Sequence, residues 1–247
     1  MTFIASPMEQ FEVVPLLQLS IFSGSVFSLT NFAFFAIITV IVALIVPTLG
    51  AAQGLIVPSR WTLAAEATLV SFVALVREQV GKTSYVPFFY ALFFFILISN
   101  LIGNIPYTYT IATSAILSMG LSFTILIGVT LLAARIHGIH ALSFFVPAGT
   151  PIGLVPLLIL IEIISYIARA FSLGVRLFSN MVAGHTLLKI LSSFLYPAFT
   201  GWYSILALIP MALFTALMGL ELAVSFIQAF VFTVLTCSYV RDAIELH

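Results

Sequence analysis

Three ionisable side chains, Glu162, Arg169 and Arg176, recur at intervals of seven inside an apolar segment. Seven residues fall about 20° short of two helical turns, so all three share one stripe about 21 Å long. A second apolar segment repeats the habit, with Glu221 and Gln228 seven apart and Asp242 fourteen further on. His185 lies about 180° round the helix from Arg176, and Asn180 lies back near the arginine side, one turn on. These residue types suit proton traffic. Carboxylates and imidazoles exchange protons because their surroundings can tune them towards ambient pH. A guanidinium does not deprotonate. It repels cations and keeps an approaching carboxylate ionised. A charge at bilayer depth costs at least about 2.5–3.5 kcal/mol, so a chain that keeps Arg176 there is expected to use it.

The elements that must position these groups are apolar. Of 247 residues 62% are hydrophobic and 6% charged, against about 25% charged in soluble domains. The chain is therefore expected to be an all-α, polytopic membrane protein. Eight acids balance eight Lys and Arg, so no field points to nucleic acid or to an acidic partner. The lone Cys237 excludes an internal disulfide and a multi-cysteine metal site. Residues 1–20 hold Glu9 and Glu12 but no Lys or Arg, the reverse of a presequence.

One membrane domain over 1–247 is expected. Residues 1–28 form an N-terminal segment and 29–49 a first spanning helix. Residues 55–81, punctuated by Arg60, Glu66, Arg77 and Glu78, read as an interfacial helix. A helical pair occupies 86–134, parted at Pro106. Residues 151–247 hold two helix-compatible stretches of about 40 residues, each about 57–60 Å long as a helix. A hydrocarbon core of about 30 Å accepts these only when they break or incline steeply. No turn-like cluster sits mid-segment, so a steeply inclined antiparallel hairpin turning near Pro197–Trp202 is expected.

Folding that hairpin about residue 200 sets Arg176 opposite positions 221–228. Glu162 and Asp242 fall towards one face. His185 and Glu221 fall towards the other, joined by Asn100 and Asn104 at the end of their own helix. One side of the membrane receives residues 1–28, the loop near Tyr107 and the hairpin turn, with no Lys or Arg. The other receives Arg60, Arg77, Lys82, Arg135 and Arg241, a split of five to none. The positive-inside rule then sets the C-terminus in the matrix or cytoplasm.

Plainer readings stand beside this one. Spacing alone leaves Arg176 open between a staple to Glu221 and a barrier between two polar half-paths. Ser165, Ala168, Ser172, Ser179 and Ala183 flatten the arginine stripe, which suits ordinary close packing or a partner sliding past. Lys189 can snorkel near the turn. His137 and His140 lack a third ligand nearby, so no metal or other cofactor is expected. A haem-binding redox protein needs paired axial ligands on facing helices, and only His185 lies deep in a span. A stand-alone proton-coupled transporter remains the alternative, although such folds usually carry internal repeats and none is visible.

The run Leu173-Gly174-Val175-Arg176-Leu177-Phe178-Ser179-Asn180-Met181-Val182-Ala183-Gly184-His185 resembles the signature of the a subunit of the FoF1 ATP synthase, mitochondrial type. The resemblance extends through Leu97–Tyr107, Glu221 and Gln228, and covers essentially the whole chain. The many phenylalanines and Glu9-Gln10-Phe11-Glu12 look fungal-like. The resemblance implies a stator beside a rotating c-subunit ring, with other Fo and peripheral-stalk subunits as partners in the mitochondrial inner membrane. By it, Arg176 separates two half-channels. His185 and Glu221, with Asn100 and Asn104, would line the intermembrane-space path. Glu162 and Asp242 would line the matrix path, and Asn180 and Gln228 would neighbour the arginine. Bacterial members often carry an acid at the position of His185 and a histidine at that of Glu221; the swap keeps a carboxylate–imidazole pair. The chain is not expected to be an enzyme by itself, since no GxxxxGK[ST] loop occurs.

Overall fold

The computed structural model describes residues 7–22, 25–51, 59–105, 108–138, 155–200 and 208–244. Six long helices dominate: α1 (Asn31–Ala51), α2 (Arg60–Val80), α3 (Val86–Gly103), α4 (Ala115–His137), α5 (Val155–Thr200) and α6 (Leu208–Ile244). All but α2 are long and apolar enough to cross a bilayer. The protein is thus an all-α polytopic membrane protein. Helices suit this solvent because each satisfies its own backbone where water is absent.

The N-terminal segment holds more structure than its sequence suggested. A short 3-10 helix (Pro7–Phe11) precedes an antiparallel pair, β1 (Pro15–Phe22) and β2 (Ser25–Thr30). Asn31 joins that hairpin to α1. Its side-chain amide donates to the Glu12 carbonyl at 3.0 Å, and its Oδ1 accepts from Val14 N at 3.2 Å.

Helix α2 is capped at both ends. Ser59 Oγ accepts from Thr62 N at 3.3 Å, and Gly81 takes the left-handed conformation at φ 73°. Phe72, Val76 and Val80 are buried while Trp61, Leu63, Leu69 and Val70 are exposed. One face of α2 thus packs on the bundle while apolar side chains point outward on the other; residues 55–58 of the interfacial helix expected over 55–81 lie outside the described residues. Phe72 packs against Phe93 of α3 with ring centroids 4.8 Å apart, and Phe93 reaches Phe226 of α6 at 5.9 Å.

Helix α5 runs as one helix of 46 residues and α6 as one of 37. They are about 69 Å and 55 Å long. Helix α5 continues past Pro197 to Thr200, so the first part of the expected turn is helical. Gly201 and Trp202, the rest of that expected turn, lie outside the described residues, as do His140, the loop at Tyr107 and residues 151–154.

Lipid tails are as apolar as leucine, so close packing, small residues and hydrogen bonds join these helices. Ala170, Leu173, Leu177 and Met181 form a buried seam on α5. Ser122 Oγ of α4 donates to the Ala170 carbonyl. A Cβ on Gly174 would stand 3.1 Å from Met119 Cα and 3.2 Å from Ser118 O. Gly174→Leu is therefore expected to part α4 from α5 at a cost of about 1–3 kcal/mol. A lower thermal midpoint of the assembled complex would report it.

Candidate functional site

Seen round the axis of α5, the buried seam faces α4 and the opposite face is open. On that open face Ala168, Ser172, Arg176, Ser179 and Ala183 are all exposed. Among the described residues, none gives Arg176 a salt bridge or a side-chain hydrogen bond. The staple to Glu221 is absent, because Glu221 is engaged elsewhere.

Glu221 is buried at 8% exposure, and its Oε1 lies 3.3 Å from His185 Nδ1. Room for that carboxylate comes from Gly184, where a Cβ would stand 2.9 Å from Glu221 Oε1. Gly184→Ala is expected to keep the fold, since the atom met is the end of a flexible side chain. It should displace the carboxylate from the imidazole. A misplacement of that order costs up to about a hundredfold in a reaction that needs the contact. Proton pumping per assembled complex is the measurement.

Asn100 and Asn104 come to the same place from α3. Asn104 Nδ2 donates to Ser225 Oγ at 3.1 Å, and Ser225 Oγ donates to the Glu221 carbonyl at 2.8 Å. Asn100 Nδ2 donates to the Ser225 carbonyl at 3.4 Å. The Oδ1 atoms of both asparagines and Glu221 Oε1 are buried without a hydrogen bond. A cleft of about 570 Å³ opens beside them, lined by Asn104, Thr110, His185, Lys189 and Ser192, with Gln10 and Phe11 of the N-terminal segment. Lys189 thus shares the cleft with His185.

The second group lies at the other end of α5. Arg169 bridges two acids, with Nη2 3.5 Å from Glu162 Oε1 and Nη1 3.7 Å from Asp242 Oδ2. The structure therefore joins Glu162 to Asp242 through Arg169. Nearby, His137 Nε2 meets the Ile244 carbonyl at 3.2 Å, which ties the end of α4 to the end of α6.

Along α5, Arg176 stands about 10 Å from Arg169 and about 14 Å from His185. The pairs His185–Glu221 and Arg169–Asp242 also fix how α5 and α6 align. Between them, position 176 comes level with about residue 233 rather than 221–228. Gln228 and Asn180 are both half-buried.

Thr110 and Ser225 were not singled out by the sequence. Neither carries charge, and an isolated hydroxyl has no periodicity to betray it. Thr110 Oγ1 lies 3.1 Å from His185 Nε2.

Spanning helices with ionisable groups sunk between them, split into two sets about an unpaired exposed arginine, define a polytopic membrane protein built to handle charge inside the bilayer. A model of the family described as ATP synthase A chain matches residues 32–241, and the chain belongs to that family. It is similar to ATP synthase subunit a of Mycosarcoma maydis, 55% identical with 99% of this chain and 98% of that one covered. The subunit a of Emericella nidulans is 44% identical with 99% and 98% covered. That of Chondrus crispus is 42% identical over the same shares, 99% and 98%.

Proposed function

We propose that this chain is the proton-conducting stator subunit of a rotary ATP synthase in the mitochondrial inner membrane. It works against a ring of c subunits, held there by other Fo and peripheral-stalk subunits. The observation that carries this reading is the exposed, unpaired Arg176 on a face of small residues. An unpartnered charge facing lipid at bilayer depth costs at least about 2.5–3.5 kcal/mol. A carboxylate brought from outside the chain removes that cost. The flat face formed by Ala168, Ser172, Ser179 and Ala183 lets a partner helix come close enough to supply it.

Two offset half-channels end on either side of this arginine and do not join. One enters by the cleft at His185 and passes Glu221, with Asn100 and Asn104 along its wall. Their unpaired buried acceptors suit a file of water. The other leaves past Glu162 and Asp242, with Arg169 holding the two acids together. Asn180 and Gln228 are polar neighbours of the path near Arg176. Helices of the lengths of α5 and α6 stay within about 30 Å of hydrocarbon only when inclined by about 60°. Such a slope lets both half-channels run alongside one ring. The charge asymmetry of the loops puts the C-terminus in the matrix.

A unit charge crossing 100 mV is worth about 2.3 kcal/mol, so each proton must be made to turn the ring. A fixed positive charge between the half-channels prevents direct passage. The test is a cross-link. A cysteine at Ser172 or Ser179, in a Cys237→Ala background, should form a disulfide with a cysteine beside the c-subunit carboxylate. That link should stop ATP-driven rotation. Failure of every such pair to link, in an assembled complex, would refute the docking face.

A further inference from the structure

His185 is held from both sides. Its Nδ1 faces Glu221 Oε1 at 3.3 Å and its Nε2 faces Thr110 Oγ1 at 3.1 Å. Thr110 is itself fixed. It is 6% exposed, and its carbonyl accepts from Thr113 Oγ1 at 2.6 Å. Its Oγ1 lies 3.4 Å from the Gly103 carbonyl. Gly103 lets the two segments touch, since a Cβ there would stand 2.6 Å from Thr110 Oγ1. Thr110 also lines the cleft that reaches His185.

We propose that Thr110 is a positioning residue for proton entry, its hydroxyl holding the His185 ring between the cleft and Glu221. This rests on the half-channel reading above. A hydroxyl has one proton and two lone pairs. Donating to the Gly103 carbonyl, it accepts from Nε2–H; rotated, it donates to a bare Nε2. One side chain therefore holds the ring in either tautomer and in the imidazolium. When the hydroxyl turns back to the Gly103 carbonyl, a hydronium in the cleft gives its proton to the freed Nε2, which makes the imidazolium and leaves water. That cation releases its Nδ1 proton to the Glu221 carboxylate, leaving a neutral imidazole and a neutral carboxylic acid. A ring free to turn would lose the Nδ1 contact on which this hand-over depends.

The groups around the ring bound the pH response. Glu221 faces it from α6, and Lys189 lies one turn along α5. From the other elements Gln10, Phe11, Asn104 and Thr108 line the cleft, and none of these titrates. Glu9 and Glu12 line a separate neighbouring cavity.

The test uses the assembled synthase in vesicles and follows ATP-driven pumping against the pH of the cleft side. Thr110→Val keeps the shape and removes the hydroxyl. It should lower pumping about three- to tenfold, as expected for one hydrogen bond, and shift the pH profile. Thr110→Ser should restore both. If the valine variant fails to assemble, Thr110→Ala replaces it with the same expectation. Adding Thr110→Val to His185→Ala should cost nothing further. A wild-type profile in the variant lacking the hydroxyl, equal impairment of the serine and valine variants, or an additive loss over His185→Ala would overturn the proposal. Arg176→Ala in parallel separates the two claims. If it pumps normally, the stator reading fails. If it is inactive while Thr110→Val behaves as wild type, only the positioning role fails.

Discussion

Arg176→Ala is expected to abolish ATP-driven proton pumping in vesicles while leaving the complex assembled. The side chain is exposed and makes no hydrogen bond or salt bridge among the described residues, so its loss breaks nothing within the chain. On the proposed stator reading, it removes the field on a c-subunit carboxylate. At about 4 Å and an effective dielectric of about 20, that attraction is worth about 4 kcal/mol. This corresponds to about three pK units on the carboxylate. Without it the carboxylate carries its proton past the stator, and coupled transport should fall by about a thousandfold. Arg176→Lys tests what else the guanidinium supplies. A lysine keeps the charge but lacks the planar fork and loses its proton more readily. It should assemble and pump far below wild type.

Glu221→Gln is expected to give the second largest effect. Glutamine matches the shape that Gly184 makes room for, and it can still meet His185. It cannot take up and release a proton. Removing a positioned acid or base typically costs about a hundredfold or more, and pumping per complex should fall by that order. The structure should survive, because Ser225 Oγ donates to the backbone carbonyl of Glu221 rather than to its side chain. Equal pumping by the glutamine variant would remove Glu221 from the path.

Much of this fold was legible in the sequence. Apolar runs without charge have few options in a bilayer, so α1, α3 and α4 announced themselves. The absence of any proline or turn cluster between Pro156 and Pro197 favoured one long helix over two broken spans without deciding it, and α5 is continuous. The side chains were less legible. Spacing alone could not tell whether Glu221 would reach for Arg176 or for His185. That choice depends on where α5 ends, and α5 runs through Pro197. The four helical residues from Pro197 to Thr200, about one turn, are enough to move the alignment of the two helices. Arg169 gained its role the same way, since Asp242 comes to it only with the shifted alignment. The β1–β2 hairpin was missed although Ser23-Gly24 is a turn signal between partly alternating runs. Its setting beside a spanning helix drew attention to hydropathy instead of alternation. Thr110 was invisible because it needs a loop to fold back on α5.

Two polar paths opening on opposite sides of the membrane are the centre of this reading, and side-specific labelling tests them most directly. In a Cys237→Ala background, single cysteines would replace Thr108, on the cleft beside His185, and Ser165, three residues from Glu162. A membrane-impermeant thiol reagent would then be applied to one face at a time. The cysteine at 108 should react only from the intermembrane-space side and the one at 165 only from the matrix side. Reaction of both from the same side would contradict the two offset half-channels outright.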